Sequence, residues 1–302
     1  MGILDSIGNT PLVKLETLNT NPRVKIFAKL EGNNPGGSVK DRIAFYMIRG
    51  AEEAGRIKKG DTILEATSGN TGIGLAMVGA ALGYKVVLVM PECVSLERRK
   101  VLEAFGAELI LSPGNEGTDG AIKRARKMMV ESPDGYFMPN QFDNPANILA
   151  HYETTGREII DQTNGEVDVF VAGMGTTGTL MGAGKRLKEF NRNIRIVGVE
   201  PFLGHKIQGL KNMQESIVPK IFNPAFPDEI IKVNDDDAFA TTRRLALQEG
   251  IFAGMSSGAA VFGALTMAGR IERGTVVVVL PDRGDRYLST ALFTSVCAKC
   301  PP

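Results

Sequence analysis

One lysine and three glycine-rich turns carry the chemistry this sequence is equipped to do. Lys40 follows Asn34-Pro35-Gly36-Gly37-Ser38-Val39 and precedes Ile43, Met47, Ala51 and Ala54 at spacings of three or four. Those spacings predict a helix with Lys40 near its start. A cation there meets the positive end of the helix dipole, so its amine is expected to give up a proton more easily than a surface lysine. Schiff-base and general-base lysines need that property. Taken without partners, a lysine is a solvated surface residue, so Lys40 gains meaning only from what surrounds it.

The first turn, Thr67-Ser68-Gly69-Asn70-Thr71-Gly72, follows a β-branched run that ends at Ala66. Its small residues let a ligand approach the backbone, and its hydroxyl and N–H groups suit a carboxylate. The Asn70 amide is able to donate to a phenolate-like oxygen. The second turn is Gly173-Met174-Gly175-Thr176-Thr177-Gly178-Thr179. Gly173, Gly175 and Gly178 fit a dinucleotide fingerprint, and Glu200 stands where a ribose-binding acid would be expected. An NAD-dependent oxidoreductase is therefore one reading. The hydroxyls of Thr176, Thr177 and Thr179 favour another, a cradle for a single phosphate. The third turn, Gly254-Met255-Ser256-Ser257-Gly258-Ala259-Ala260, reads either as a helix cap or as a ligand contact.

Such turns must be held by strands and helices, and the chain alternates the two. Strand-like runs cover Thr62–Ala66, Lys85–Met90, Glu108–Leu111, Asp168–Ala172, Arg195–Val199 and Thr275–Leu280. Their apolar residues are contiguous rather than alternating, as in sheets covered on both faces. Helical periods cover Ile73–Leu82, Ser95–Phe105, Thr118–Glu131 and Ala238–Gln248, with Gly83, Gly106 and Gly250 as stops. The pattern predicts βαβ units and mostly parallel sheets with helices on both sides. Pro145 suits the first turn of a helix. The proline-rich stretch from Pro201 to Asp228 reads as a long functional loop.

The 302 residues suffice for two modest domains. With 35 basic against 34 acidic side chains, no field is available to hold nucleic acid. Apolar runs such as Val86–Met90 and Val276–Leu280 are far too short to span a bilayer. The first residues lack a signal-peptide pattern, and Met1-Gly2 with Ser6 reads as a chance match to a myristoylation motif. Three cysteines form no disulfide framework, so a cytoplasmic protein is expected.

The segments Asn34–Arg42, Thr67–Gly72, Gln141, Gly175–Thr179 and Ser256–Gly258, in that order, resemble the motif set of fold-type II pyridoxal-phosphate (PLP) enzymes. Over nearly its whole length the chain resembles the cysteine synthase (O-acetylserine sulfhydrylase) family. Ile7–Leu12 is similar to the family's opening and Asp285–Thr290 to its ending. Gly175–Thr179, Pro219–Asn223 and Asp282–Asp285 resemble the B isozyme type. His205–Gly209 looks more like the A type, and Leu210–Met213 lacks the arginine pair of some B-type loops.

The resemblance implies two three-layer α/β/α domains with largely parallel sheets. The smaller, mobile one would span residues 40–145, and the larger, cofactor-binding one residues 1–39 with 146–302. It implies PLP carried on Lys40 as a Schiff base, with Asn70 on the cofactor's 3′-oxygen. Gly175, Thr176, Thr177, Gly178 and Thr179 would hold the phosphate, and Ser256 would face the pyridine nitrogen. Thr67, Ser68, Asn70, Thr71 and Gln141 would bind the substrate carboxylate. The implied reaction converts O-acetyl-L-serine and sulfide to L-cysteine and acetate through an α-aminoacrylate. O-phosphoserine, thiosulfate and cystathionine-forming variants are the alternatives. A homodimer and a complex with serine acetyltransferase are the implied assemblies.

No metal site is expected. His151 and His205 lack metal partners in sequence and read as hydrogen-bonding residues. Cys93 reads as a turn residue, Cys297-x-x-Cys300 as a nonessential tail, and Asp235-Asp236-Asp237 as a helix start. A non-catalytic ligand-binding member of the same fold is the third reading of the chain.

Overall fold

A computed structural model describes residues 2–67 and 69–293. Ser68, Cys297 and Cys300 lie outside the described residues. Among the described residues the strands form two sheets. They are β1 (Leu12–Lys14), β2 (Val24–Leu30), β3 (Thr62–Ala66), β4 (Lys85–Pro91), β5 (Glu108–Ser112), β6 (Val169–Gly173), β7 (Arg195–Pro201), β8 (Glu229–Val233) and β9 (Gly274–Leu280). The larger sheet has the order β1-β2-β9-β6-β7-β8 and the smaller the order β3-β4-β5. All neighbours are parallel except β1 and β2.

The helices are α1 (Lys40–Glu53), α2 (Asn70–Leu82), α3 (Leu96–Ala104), α4 (Gly117–Glu131), α5 (Pro145–Ala150), α6 (Gly156–Gln162), α7 (Gly178–Phe190), α8 (Asp235–Glu249) and α9 (Met255–Arg270). They cover both faces of each sheet, which explains the contiguous apolar strands. In β9, Val276, Val278 and Leu280 pack toward α8 and α9, while Val277 and Val279 pack with Leu180, Ala183 and Leu187 of α7. In the smaller sheet, Ile63, Val86, Leu88 and Met90 meet α1 and α2. Leu64, Val87 and Val89 meet Ala121, Ile122 and Ala125 of α4.

The expected glycine stops hold, with Gly83, Gly106 and Gly250 all at positive φ. Pro145 opens α5, whose N-cap Asn144 accepts from the N–H of Ala146. Asn234 caps α8, so Asp235–Asp237 form its acidic first turn. Strands β1, β2 and β8 were not expected. In β2 the run is interrupted by Lys25 and Lys29, yet Lys29 is fully buried. Its ammonium donates to Thr10 O and pairs with Glu158 at 2.6 Å, and such compensation cannot be read from local pattern. A π-helical turn, His151–Thr155, joins α5 to α6. The stretch between β7 and β8 is built of turns, as expected for a long loop.

Candidate active site

Helices α1, α2, α7 and α9 begin around one cavity of about 680 Å³. Helix N-termini present N–H groups without intrahelical partners and a positive dipole end, so the cavity favours anionic groups. Its wall brings together Lys40, Thr67, Asn70, Thr71, Gln141, Gly175, Thr176, Thr177, Thr179 and Ser256. Gly178 lies off the wall. There Asn147 Oδ1 occupies the space that a Cβ on Gly178 would need.

Lys40 is the first residue of α1, with Val39 as N-cap. Burial lowers its amine to about 8, while the charges of Asp282 and Glu31 oppose that shift. The helix start was expected, but desolvation is the leading cause of the depressed value. A lysine in this state is neutral often enough near pH 7–8 to act as nucleophile or base.

The Gly/Thr turn follows β6, with Thr177 in the left-handed region at φ +68°. Thr176 Oγ1 accepts from Asn147 Nδ2 at 3.1 Å, and Thr179 Oγ1 lies 3.2 Å from His151 Nε2. His151 Nδ1 is 2.9 Å from Thr155 Oγ1, and burial lowers the imidazole to about 3, so it stays neutral. The Thr177 hydroxyl is buried without a partner among the described residues. An orphan hydroxyl on the cavity wall at a helix N-terminus fits a phosphate oxygen. Together with the buried amine of Lys40, it makes these residues a fit for PLP.

The turn after β3 is braced from within. Thr67 Oγ1 accepts from Gly69 N at 3.0 Å. Thr71 Oγ1 donates to Gln141 Oε1 at 2.5 Å, and Gln141 Nε2 donates to Ala66 O at 3.0 Å. Asn70 Nδ2 donates to Asp282 Oδ2 at 2.7 Å, while Asn70 Oδ1 accepts from Arg286 Nη1 at 2.6 Å. Ser256 lies buried in the first turn of α9.

Several wall and support residues carry no signal in their own neighbourhood. Arg98 of α3 is buried on the wall, stacks 4.6 Å over the Tyr287 ring and donates to Gln208. Gly69 has no side chain because Arg98 Cδ fills that space. Arg286 sits in the ending, and Asp282 in the B-type segment just before it, whose resemblances were noted, and those were the clues available. Glu200 accepts from Met213 N and faces Lys232 at 3.8 Å, away from the cavity. The acid required by a dinucleotide reading is thus absent from the site.

A family model described as pyridoxal-phosphate dependent enzyme matches residues 3–282, and the chain belongs to that family. It is a PLP-dependent enzyme with the fold of that class. Among curated proteins it is 51% identical to a cysteine synthase of Staphylococcus aureus (strain N315), over 97% of this chain and 96% of that one. It is 49% identical to cysteine synthase B of Salmonella typhimurium, over 95% and 94% of the two chains. Among solved structures, an O-ureido-L-serine synthase superposes with a TM-score of 0.92 at 44% identity, covering 97% of this chain and 95% of that one. No helix among the described residues is long and apolar enough to cross a membrane.

Proposed function

We propose that this enzyme makes L-cysteine and acetate from O-acetyl-L-serine and sulfide. What supports the reading is that Lys40, whose amine burial lowers to about 8, shares one cavity wall with Thr67, Asn70 and Thr71 and with Gly175, Thr176, Thr177 and Thr179, in a chain 51% identical to a cysteine synthase. When bound, PLP supplies an electron sink for the pair left at the substrate Cα. With the cofactor bound, Lys40 Nζ would carry it in the resting enzyme, take the Cα proton as the Cβ–O bond breaks and acetate departs, and return a proton to Cα once sulfide has added at Cβ. The hydroxyls of Thr176, Thr177 and Thr179, with the backbone of Gly175–Gly178, would hold the phosphate. Asn70 would donate to the ring oxygen. Ser256 would offer the ring nitrogen a neutral hydroxyl. A carboxylate there would keep that nitrogen protonated and store more charge than β-elimination needs.

The substrate carboxylate lies against the start of α2, where Thr67, Asn70 and Thr71 line the wall and Gln141 braces the turn. Ser68 belongs to this set by its place in the turn. Residues 40–145 form a smaller domain that closes over the substrate and excludes water. Residues 1–39 with 146–302 form the larger one. Homodimer assembly and association with serine acetyltransferase enter this proposal from the resemblance of the sequence, and a cytoplasmic location from its cysteine usage.

The test is direct. Protein loaded with PLP and supplied with O-acetyl-L-serine and sulfide is expected to release cysteine and acetate in equal amounts. Cysteine formed only from O-phosphoserine, or only with thiosulfate, would move the assignment to another donor. No β-replacement with any of these would sink it.

A further inference from the structure

Asn70 is held at both ends of its amide. Its nitrogen donates to Asp282 Oδ2 and its oxygen accepts from Arg286 Nη1. An asparagine amide left to itself is able to turn over and exchange donor for acceptor. Here it is not, because a carboxylate accepts only and a guanidinium donates only. Asp282 is fixed in turn. Oδ2 also accepts from Tyr287 Oη at 2.6 Å, and the backbone oxygen accepts from Gly254 N at 3.2 Å. Arg286 is fixed by donating to Gly36 O, in the loop that leads into Lys40. Gly37 lies at φ +81°, a backbone conformation that favours glycine, and a side chain there would also press on the Arg286 guanidinium. Both holders are buried, and neither lies on the cavity wall. Asn70 Nδ2 makes one hydrogen bond among the described residues, through one of its two hydrogens.

We propose that Asp282 and Arg286 are positioning residues that lock the Asn70 amide so that its remaining N–H points to the ring oxygen of the bound cofactor. This rests on the assignment of Asn70 to that oxygen. With the lock intact the ring oxygen receives a donor and stays a phenolate. Without Asp282, the amide is free to present its oxygen instead, and the ring oxygen keeps its own proton. Asp282 and Arg286 thereby set the electronic state of the cofactor without touching it.

The experiment uses holoenzyme and reads the visible spectrum together with cofactor affinity by equilibrium dialysis. Asp282→Ala is expected to shift intensity from the longer- to the shorter-wavelength band and to weaken PLP binding about tenfold, as for loss of one charge-assisted hydrogen bond. Asp282→Asn, whose own amide is able to turn over and present a donor to Asn70, is expected to shift the bands in the same direction to a smaller extent. Arg286→Lys tests the other end of the amide and is expected to shift the bands in the same direction. Native bands and affinity in Asp282→Ala and Arg286→Lys would overturn the proposal while leaving the PLP site intact. A wild-type protein that shows no visible band with PLP would instead sink the site assignment itself. Native bands in Asp282→Asn would show that an acceptor-only partner is not needed at this position and would likewise overturn the lock.

Discussion

Lys211 Nζ lies 2.9 Å from Asp119 Oδ1, tying the long loop after β7 to helix α4 across the cavity. The other carboxylate oxygen of Asp119 accepts from Ile217 N at 2.9 Å, so one side chain fastens two points of that loop. The Lys211 ammonium also sits 5.1 Å from the Phe142 ring. The loop and α4 belong to opposite sheets, and this pair is a direct link between them.

Loosening that link should weaken substrate retention more than it weakens the fold. Lys211 is buried and Asp119 half-buried, so the pair stands at the upper end of what exposed pairs contribute, about 1 kcal/mol. Asp119→Asn is expected to raise KM for O-acetylserine up to about fivefold, with kcat and thermal stability little changed. Steady-state kinetics checks this, and an unchanged KM would show that the pair does not restrain the loop during turnover.

Lys40→Ala should separate cofactor binding from chemistry. The phosphate turn remains, so PLP is expected to bind without a covalent link. Borohydride treatment followed by peptide mass analysis should then find no adduct, whereas wild type carries it on Lys40. Loss of the general base predicts a fall in turnover of at least about 10²–10⁴-fold. A borohydride adduct on another lysine of the native enzyme would contradict the assignment.

Most of the fold was legible because its strands are covered on both faces. Val276–Leu280 and Val86–Met90 announce themselves as buried β-runs, and the glycine stops mark where helices end. Strand β2 was hidden by Lys29, whose burial depends on Glu158, far along the chain. The three turns and Lys40 were visible because each is a local run of unusual residues. Their supports were not. Asp282 and Arg286 reach Asn70 across 212 and 216 residues, and no periodicity encodes such a contact. The depressed pKa of Lys40 was anticipated from its place at a helix start, but burial dominates it, and burial is a property of the assembled cavity.

Gly175 should resist substitution for a reason of space. A Cβ there would collide with the backbone oxygen of Gly209, which cannot swing aside as a flexible side chain would. Gly175→Ala must therefore push the phosphate turn and the 205–211 loop apart. Overpacking of this kind costs about 1–3 kcal/mol. Thermal melting should report that loss, and PLP affinity should fall with it. Native melting and native affinity would show that the two loops yield at no cost.

Glu65 should make stability fall as pH rises. It is buried in β3, where its carboxyl group accepts from the N–H groups of Ala66 and Gln141 at 3.1 and 3.2 Å. Burial raises its pKa from an ordinary 4.5 to about 8, with the charge of Asp143 adding to the shift. Between those values the unfolded chain has released the proton and the folded chain keeps it. Stability from this group is therefore complete below about pH 4.5 and is lost as pH rises through about 8. Lys40 acts in the opposite sense and in a higher window. Its folded pKa of about 8 lies below the ordinary 10.5, so its contribution favours folding as pH rises above 8. Comparing Glu65→Gln with wild type cancels Lys40 and every other shared group. The variant is expected to gain in melting temperature relative to wild type on going from about pH 5 to about pH 9. The gain should level off above that, once both states of wild type are ionised. A difference between the two proteins that stays constant with pH would show that Glu65 titrates normally, and that Gln141 rests on an ordinary carboxylate.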